Sequence, residues 1–315
     1  MCCLFGLFDY GGFLSDLQKN RTLSALAKEC EIRGIDATGI AYNTGASLHI
    51  FKKPLPAHRL RFRIPHGASV VMGHTRMTTQ GSEKKNYNNH PFRGKAGGTD
   101  FALAHNGMIY NDTGLRRARK LPHTKIQTDS YIAVQLIEKQ KALNLDTLRN
   151  MAEQIEGSFS FTVLDKANHL YLIKGNNPLY ILRYPKAGLL IYASTKEILE
   201  KAMPNMHLPS EAPEHIPLDS GEIAKVDCSG QITRTKFSMN HLWLNRFPLR
   251  GITCCRNGRA KRYHPPLTTA EDMLYLEDLK SVASSFGYSS EDIDHLLALG
   301  LTFDEIESYL YEIDL

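Results

Sequence analysis

Short apolar or alternating runs recur along the first 240 residues, and turn-forming residues separate most of them. They are Cys3–Phe8, Gly39–Asn43, Ser47–Phe51, Ser69–His74, Phe101–His105, Phe159–Leu164, Leu170–Lys174, Leu179–Arg183 and Leu189–Ala193. Runs of this length and patterning predict strands. Helical spacing predicts helices over Leu23–Ile32, Asp129–Lys141, Leu145–Ile155 and Thr195–Met203, and Glu222–Val226 with Gln231–Phe237 reads as a closing hairpin. Strands grouped as hairpins with clustered helices predict an α+β fold, not a doubly wound parallel sheet. No glycine-rich phosphate loop follows any strand, so a nucleotide cofactor has no support.

Charge divides the chain. From Pro266 onward there are twelve acidic residues against Lys280, near −11, which leaves about +16 on residues 1–265. The basic body carries no aromatic-interleaved nucleic-acid motif, and an acidic tail would repel phosphates, so no nucleic-acid partner is expected. No stretch approaches the roughly 18 apolar residues of a membrane span. The six cysteines form no CxxC pair and suit a reducing, cytoplasmic setting. Cys254 and Cys255 are adjacent, and neighbouring cysteines rarely share one tetrahedral ion, so no metal is expected.

Residues 241–268 are basic, turn-rich and aperiodic, which predicts a linker. Beyond it, GYSSEDIDHLL at 287–297 and GLTFDEIESYL at 300–310 align at a 13-residue offset, each with a cap residue before an acidic first turn. With the amphipathic stretch Met273–Phe286 they predict an acidic three-helix module over 269–315, following a first domain over 1–240.

The chain opens MCCLFG, so removal of Met1 leaves Cys2 as the amino terminus. A terminal thiol lies beside an α-amine whose pKa is roughly 7.7–8.0, a base suited to neutral pH, and thiols are intrinsically strong nucleophiles. Further along stand GHTRMTTQG at 73–81, NHP at 89–91, AHNGMI at 104–109 and TDS at 128–130. Taken in order, these segments resemble the class II glutamine amidotransferase domain, an N-terminal-nucleophile hydrolase fold, over residues 2–240. That family shows M-C-G-I-F-G, G-H-T-R-[aromatic]-[AS]-T-x-G, N-x-H-P, H-N-G-x-I-x-N and T-D-[ST].

The resemblance implies a four-layer α/β/β/α sandwich with a small C-terminal helical module appended. It implies that Cys2 attacks the side-chain amide of L-glutamine, forming a thioester and releasing ammonia, before water releases glutamate. Asn106 and Gly107 would supply the oxyanion donors, Arg76 would grip the substrate carboxylate, Asp129 would meet its ammonium, and Thr78 and His90 would line or support the pocket. Alone, Asn106–Gly107 also reads as a hairpin turn, and Thr128 or Asp129 as a helix cap.

Two positions depart from the pattern: Cys3 replaces a glycine and Met77 an aromatic. Strand alternation turns the Cys3 side chain away from that of Cys2, and ordinary packing is expected for it, ahead of crowding the site or acting as a redox partner. Arg33-Gly34-Ile35-Asp36 matches a family loop for which a structural role is expected. About 75 residues follow the resemblance, too few for a fused synthase, so a stand-alone subunit serving an ammonia-accepting synthase partner is expected. The alternatives are hydrolysis of another amide by the same fold, or a non-catalytic glutamine-sensing protein.

Overall fold

The computed structural model describes residues 2–45 and 47–240, with 276, 277, 279, 280, 283, 289–298 and 306. The chain forms two compact units, residues 1–246 and 247–315.

In the first unit two antiparallel sheets face each other. One runs β11-β9-β10-β1-β4-β2-β3, from β1 (Cys3–Asp9), β2 (Ala37–Thr44), β3 (Ser47–Lys53), β4 (Val70–Arg76), β9 (Tyr180–Tyr184), β10 (Leu189–Ala193) and β11 (Glu214–His215). The other runs β13-β12-β8-β7-β6-β5, from β5 (Phe92–Ala96), β6 (Thr99–Ile109), β7 (Gly157–Asp165), β8 (Leu170–Lys174), β12 (Glu222–Val226) and β13 (Ile232–Lys236). Alternation along the strands sorts the core into three layers. Leu4, Phe8, Met72, Ala104 and Leu172 fill the space between the sheets. Phe5, Leu7 and Ile191 pack outward on Leu23, Leu26 and Leu199 of α1 (Asp16–Glu29) and α5 (Lys196–Ala202). Leu103, Phe161 and Ile173 pack on Ile132, Leu136 and Met151 of α3 (Tyr131–Gln140) and α4 (Leu145–Ala152). The architecture is the four-layer α/β/β/α sandwich.

Helix α1 begins earlier than its apolar pattern implies. Its first turn is polar and is set by a capping box: Ser15 Oγ accepts from Gln18 N, and Gln18 Oε1 accepts from Ser15 N. Helix α3 begins at Tyr131, and its N-cap Ser130 makes no side-chain cap bond. Asp129 therefore does not cap it, which corrects that part of the sequence reading. The pair Asn106–Gly107 lies inside β6 and makes no hairpin turn.

In the second unit, α6 (Ser290–Ala298) starts on a reciprocal cap, Ser289 Oγ accepting from Asp292 N while Asp292 Oδ2 accepts from Ser289 N. Lys280 Nζ pairs with Asp294 at 2.5 Å. The predicted linker over 241–268 and most of the other predicted tail helices lie outside the described residues.

Candidate active site

Strand β1 is the middle strand of its sheet, and its register sets Cys3 opposite Thr75 and Leu4 opposite His74. The start of the chain is thereby brought to the end of β4, where Arg76 and Met77 follow. Cys2 is half-buried, and its thiol donates to Met77 O at 3.6 Å. Leu4 belongs to the layer between the sheets and Cys3 to the outer layer, so alternation turns Cys2 inward. Arg33 Nε donates to Cys2 O at 3.1 Å, which gives the Arg33–Asp36 loop a direct hold on the residue.

Ser194, just past β10, joins the two sheets. Its hydroxyl oxygen accepts from Leu4 N at 2.9 Å and from Asn106 Nδ2 at 3.4 Å, and its own N–H donates to Leu4 O at 2.9 Å. Asn177 Nδ2 fixes the Asn106 backbone by donating to Asn106 O at 2.8 Å. Gly107 has φ +143°, and a Cβ there would stand 2.0 Å from Ser158 O, so the position requires glycine. The Asn106 side-chain oxygen is buried without a hydrogen-bond partner.

Arg76 is buried, with its guanidinium engaged by the loop that follows it. Nη1 donates to Asn89 Oδ1 at 2.7 Å, and Nη2 to Gln80 O at 2.5 Å and Gly81 O at 3.0 Å. Asp129 accepts from Ile109 N at 2.6 Å, which ties it to the end of β6 just beyond Gly107. Burial pushes the Cys2 thiol up, a hydrogen bond with the Met77 backbone and the Arg76 charge oppose that, and the Asp129 charge reinforces it. Both charged side chains therefore act on the thiol, with opposite signs.

Thr78 N–H donates to Asp36 Oδ2 at 2.7 Å, while its hydroxyl is buried without a partner. His90 lies against His74 and Phe92, at centroid distances of 4.2 and 4.4 Å, and neither of its ring nitrogens is hydrogen-bonded. His74 shares a hydrogen bond with His105 O through Nε2 at 2.9 Å. Burial holds His74 down to about 3 and lowers His90 and His105 as well, so this cluster stays neutral. His105 reaches Ser130 Oγ at 2.8 Å, and Ser130 Oγ lies 3.3 Å from Asp129 Oδ1, so the buried imidazole backs the carboxylate.

A family model described as a glutamine amidotransferase domain matches residues 74–201. Glutamine–fructose-6-phosphate aminotransferase from Bacillus anthracis is 30% identical over 178 residues, 54% of this chain and 29% of that protein. The enzyme of the same name from Streptococcus pyogenes serotype M6 is 33% identical over 163 residues, 49% and 26% of the two chains. The chain thus spans less than a third of the length of these curated relatives. Among solved structures, glutamine phosphoribosylpyrophosphate amidotransferase from B. subtilis superimposes with a TM-score of 0.57 at 18% identity, covering 76% of this chain and 50% of that one. Residues 74–201 carry a glutamine amidotransferase domain.

Within the amidotransferase domain, three residues of the constellation escaped the motif reading as site residues. Ser194 and Asn177 fall between strands and belong to no motif, and Arg33 sits in a loop whose expected role was structural. Their signal is a polar side chain beside a strand end that the fold brings to Cys2, which only the register reveals. Among the described residues no group of three or more His, Cys, Asp or Glu side chains is placed to hold a metal ion. A surface cleft of about 560 Å³ along Leu143, Asp146, Tyr171 and Lys225 shares no residue with this candidate site.

Proposed function

We propose that the domain hydrolyses the side-chain amide of L-glutamine through Cys2. The observation that carries this is the junction at Ser194: one hydroxyl holds the backbone of the Cys2 strand and the Asn106 amide of the opposite sheet. A thiol nucleophile needs an oxyanion donor fixed close to its target carbonyl, and such a donor typically contributes about 10²–10³ in rate. In this reading Asn106 Nδ2 and Gly107 N–H meet the oxyanion. After removal of Met1, the Cys2 amine takes the thiol proton and delivers it to the departing ammonia. Water then releases glutamate from the thioester.

Asp129 meets the substrate ammonium and Arg76 its carboxylate, with Thr78 and His90 supporting the pocket. The carbonyls of Gln80 and Gly81 already occupy part of the Arg76 fork, so the carboxylate competes with them and the 77–81 loop rearranges as glutamine enters. The ammonia passes to a separate synthase partner. The acidic stretch of 269–315, joined through 241–268 to the domain of 1–240, docks that partner, and the −11 to +16 charge division supports this role.

The test combines intact mass with glutaminase assay. Processed protein should lack Met1 and release ammonia from glutamine, whereas Cys2→Ala should bind glutamine without hydrolysing it. Hydrolysis by Cys2→Ala, or by a species shown to retain Met1, sinks the mechanism. A chain truncated after Arg262 should keep glutaminase activity and lose capture of the partner.

A further inference from the structure

Behind the strand that presents Cys2, two further thiols face each other. Cys3 and Cys30 are fully buried, 27 residues apart in sequence, with their sulfurs 2.8 Å apart. That is closer than ordinary non-bonded sulfurs sit, and about 0.8 Å beyond a disulfide bond of roughly 2.05 Å. The contact joins two elements that serve the site. Cys3 opens β1, next to Cys2. Cys30 begins the turn that leads into Arg33, and its carbonyl accepts from Thr75 Oγ1 at 3.0 Å and from Arg33 N at 3.0 Å. The same segment continues to Asp36, which holds Arg76 O through its N–H and Thr78 N through its carboxylate.

We propose that Cys3 and Cys30 form a dithiol–disulfide couple, a redox site in the wall of the domain, separate from the Cys2 nucleophile and oxidised by hydroperoxides. The chemistry needs one sulfur as attacking thiolate and the other as its resolving partner. Burial opposes ionisation of both. The two sulfurs share one hydrogen bond, Cys3 Sγ donating to Cys30 Sγ, and the pair favours ionisation of Cys3 over Cys30, which is raised. We assign Cys3 as the first nucleophile. Its thiolate attacks one peroxide oxygen, the O–O bond breaks, and hydroxide (or alkoxide) leaves to take up a proton. The Cys30 sulfur then attacks the sulfenic sulfur, the S–O bond breaks, and water leaves. In sum, two thiols and one hydroperoxide give a disulfide, water and an alcohol, or a second water when the oxidant is hydrogen peroxide. The bond would pin β1 to the segment that holds Cys2 O, Arg76 O and Thr78 N. A disulfide in a reducing compartment is typically of this reversible, sensing kind.

The experiment uses the full-length chain with Cys2→Ser, so that no outcome depends on glutamine hydrolysis and neighbouring Cys2 cannot form the bond. This protein is treated with hydrogen peroxide, blocked with iodoacetamide under denaturing conditions and digested without reductant. The expected result is a peptide cross-linked between positions 3 and 30, reversed by thioredoxin with its reductase, and a higher melting temperature for the oxidised form. Adding Cys30→Ser should abolish both the cross-link and the shift. Alkylation of Cys3 and Cys30 in full after peroxide treatment, or a melting shift that survives Cys30→Ser, would overturn the proposal.

Discussion

Strand β7 ends in two buried polar clusters of opposite character. At its far end the Asp165 carboxylate is fully used: it accepts from Ala167 N, His169 N, His169 Nδ1 and, at 3.5 Å, Tyr171 OH, while Asp165 O accepts from Asn43 Nδ2. At the end near Cys2, Asn106 Oδ1, Thr78 Oγ1, Thr128 Oγ1 and both nitrogens of His90 are buried with no partner. Leaving a buried polar group unpaired typically costs about 1–3 kcal/mol. A fold therefore tolerates a group of them where they serve something other than stability. The Asp165 carboxylate closes a turn, although Asn43 Oδ1 beside it is unpartnered, and the larger unpartnered group surrounds the candidate site. The contrast is between one carboxylate with every neighbour donating to it and a set of side chains left open around Asn106.

The comparison predicts a division between variants. Asn106→Ala should lower kcat by about 10²–10³, with only a small fall in melting temperature, because its side chain gives the fold one long hydrogen bond, to Ser194 Oγ at 3.4 Å, and its oxygen gives none. Steady-state glutaminase kinetics with calorimetric melting read both quantities. A large loss of stability with normal turnover would erase the contrast.

At the other end, Asp165→Ala strands several donors and should cost about 2–4 kcal/mol, or roughly 5–15 °C in melting temperature. Its kcat/KM should stay at the parent value. A fall in turnover there would mean the two ends are coupled.

Acid offers the next test. His74 titrates near 3 when folded, against about 6.5 unfolded. Its contribution is complete above about pH 6.5 and is lost as pH falls toward 3, because the unfolded chain takes up the proton first. By pH 5 this amounts to about 2 kcal/mol, and the lowered His90 and His105 act in the same direction. Urea unfolding at pH 7.5 and pH 5 should show the loss, and His90→Phe should lessen it. Equal stability at both values would show that the cluster accepts charge freely.

The smallest effect concerns the thiol. Arg76 lowers and Asp129 raises the Cys2 pKa, so Arg76→Gln should shift it upward and Asp129→Asn downward. Each shift should be about one unit or less, equivalent to about 1.4 kcal/mol. The pH dependence of Cys2 alkylation, followed by mass on the Cys2 peptide, measures this without requiring catalysis.

Most strands were legible because alternation and turn residues mark a sheet buried on one or both faces. Strand β5 was not: FRGKA offers only Phe92 and Ala96 to the core around Gly94. Helix α2 (Asp112–Ala118) buries no residue and so leaves no apolar stripe to detect. The start of α1 was written in Ser15 and Gln18 as a capping box, a signal carried by polar residues and missed by a search for apolar periodicity. At the site, Cys2, Arg76, Asn106, Gly107 and Asp129 stand in recognisable segments. The hold of Ser194 on β1 depends on a register formed 190 residues away, and no local pattern encodes that. The approach of Cys3 to Cys30 was likewise not legible, since no local pattern pairs the two and ordinary packing was expected of Cys3 ahead of a redox role.

The central place of β1 also has a consequence for synthesis. Its partners are β4 and β10, and the latter ends at Ala193. At about 5–20 residues per second, the segment Leu4–Phe8 emerges from the ribosome roughly 10–40 s before β10 exists to flank it. Throughout that interval one of the most apolar stretches of the chain is an open sheet edge, the kind of surface chaperones cover and aggregates recruit. This strand is made well before β10 and enclosed late, so the yield of folded protein in a cell should depend on how well that wait is guarded.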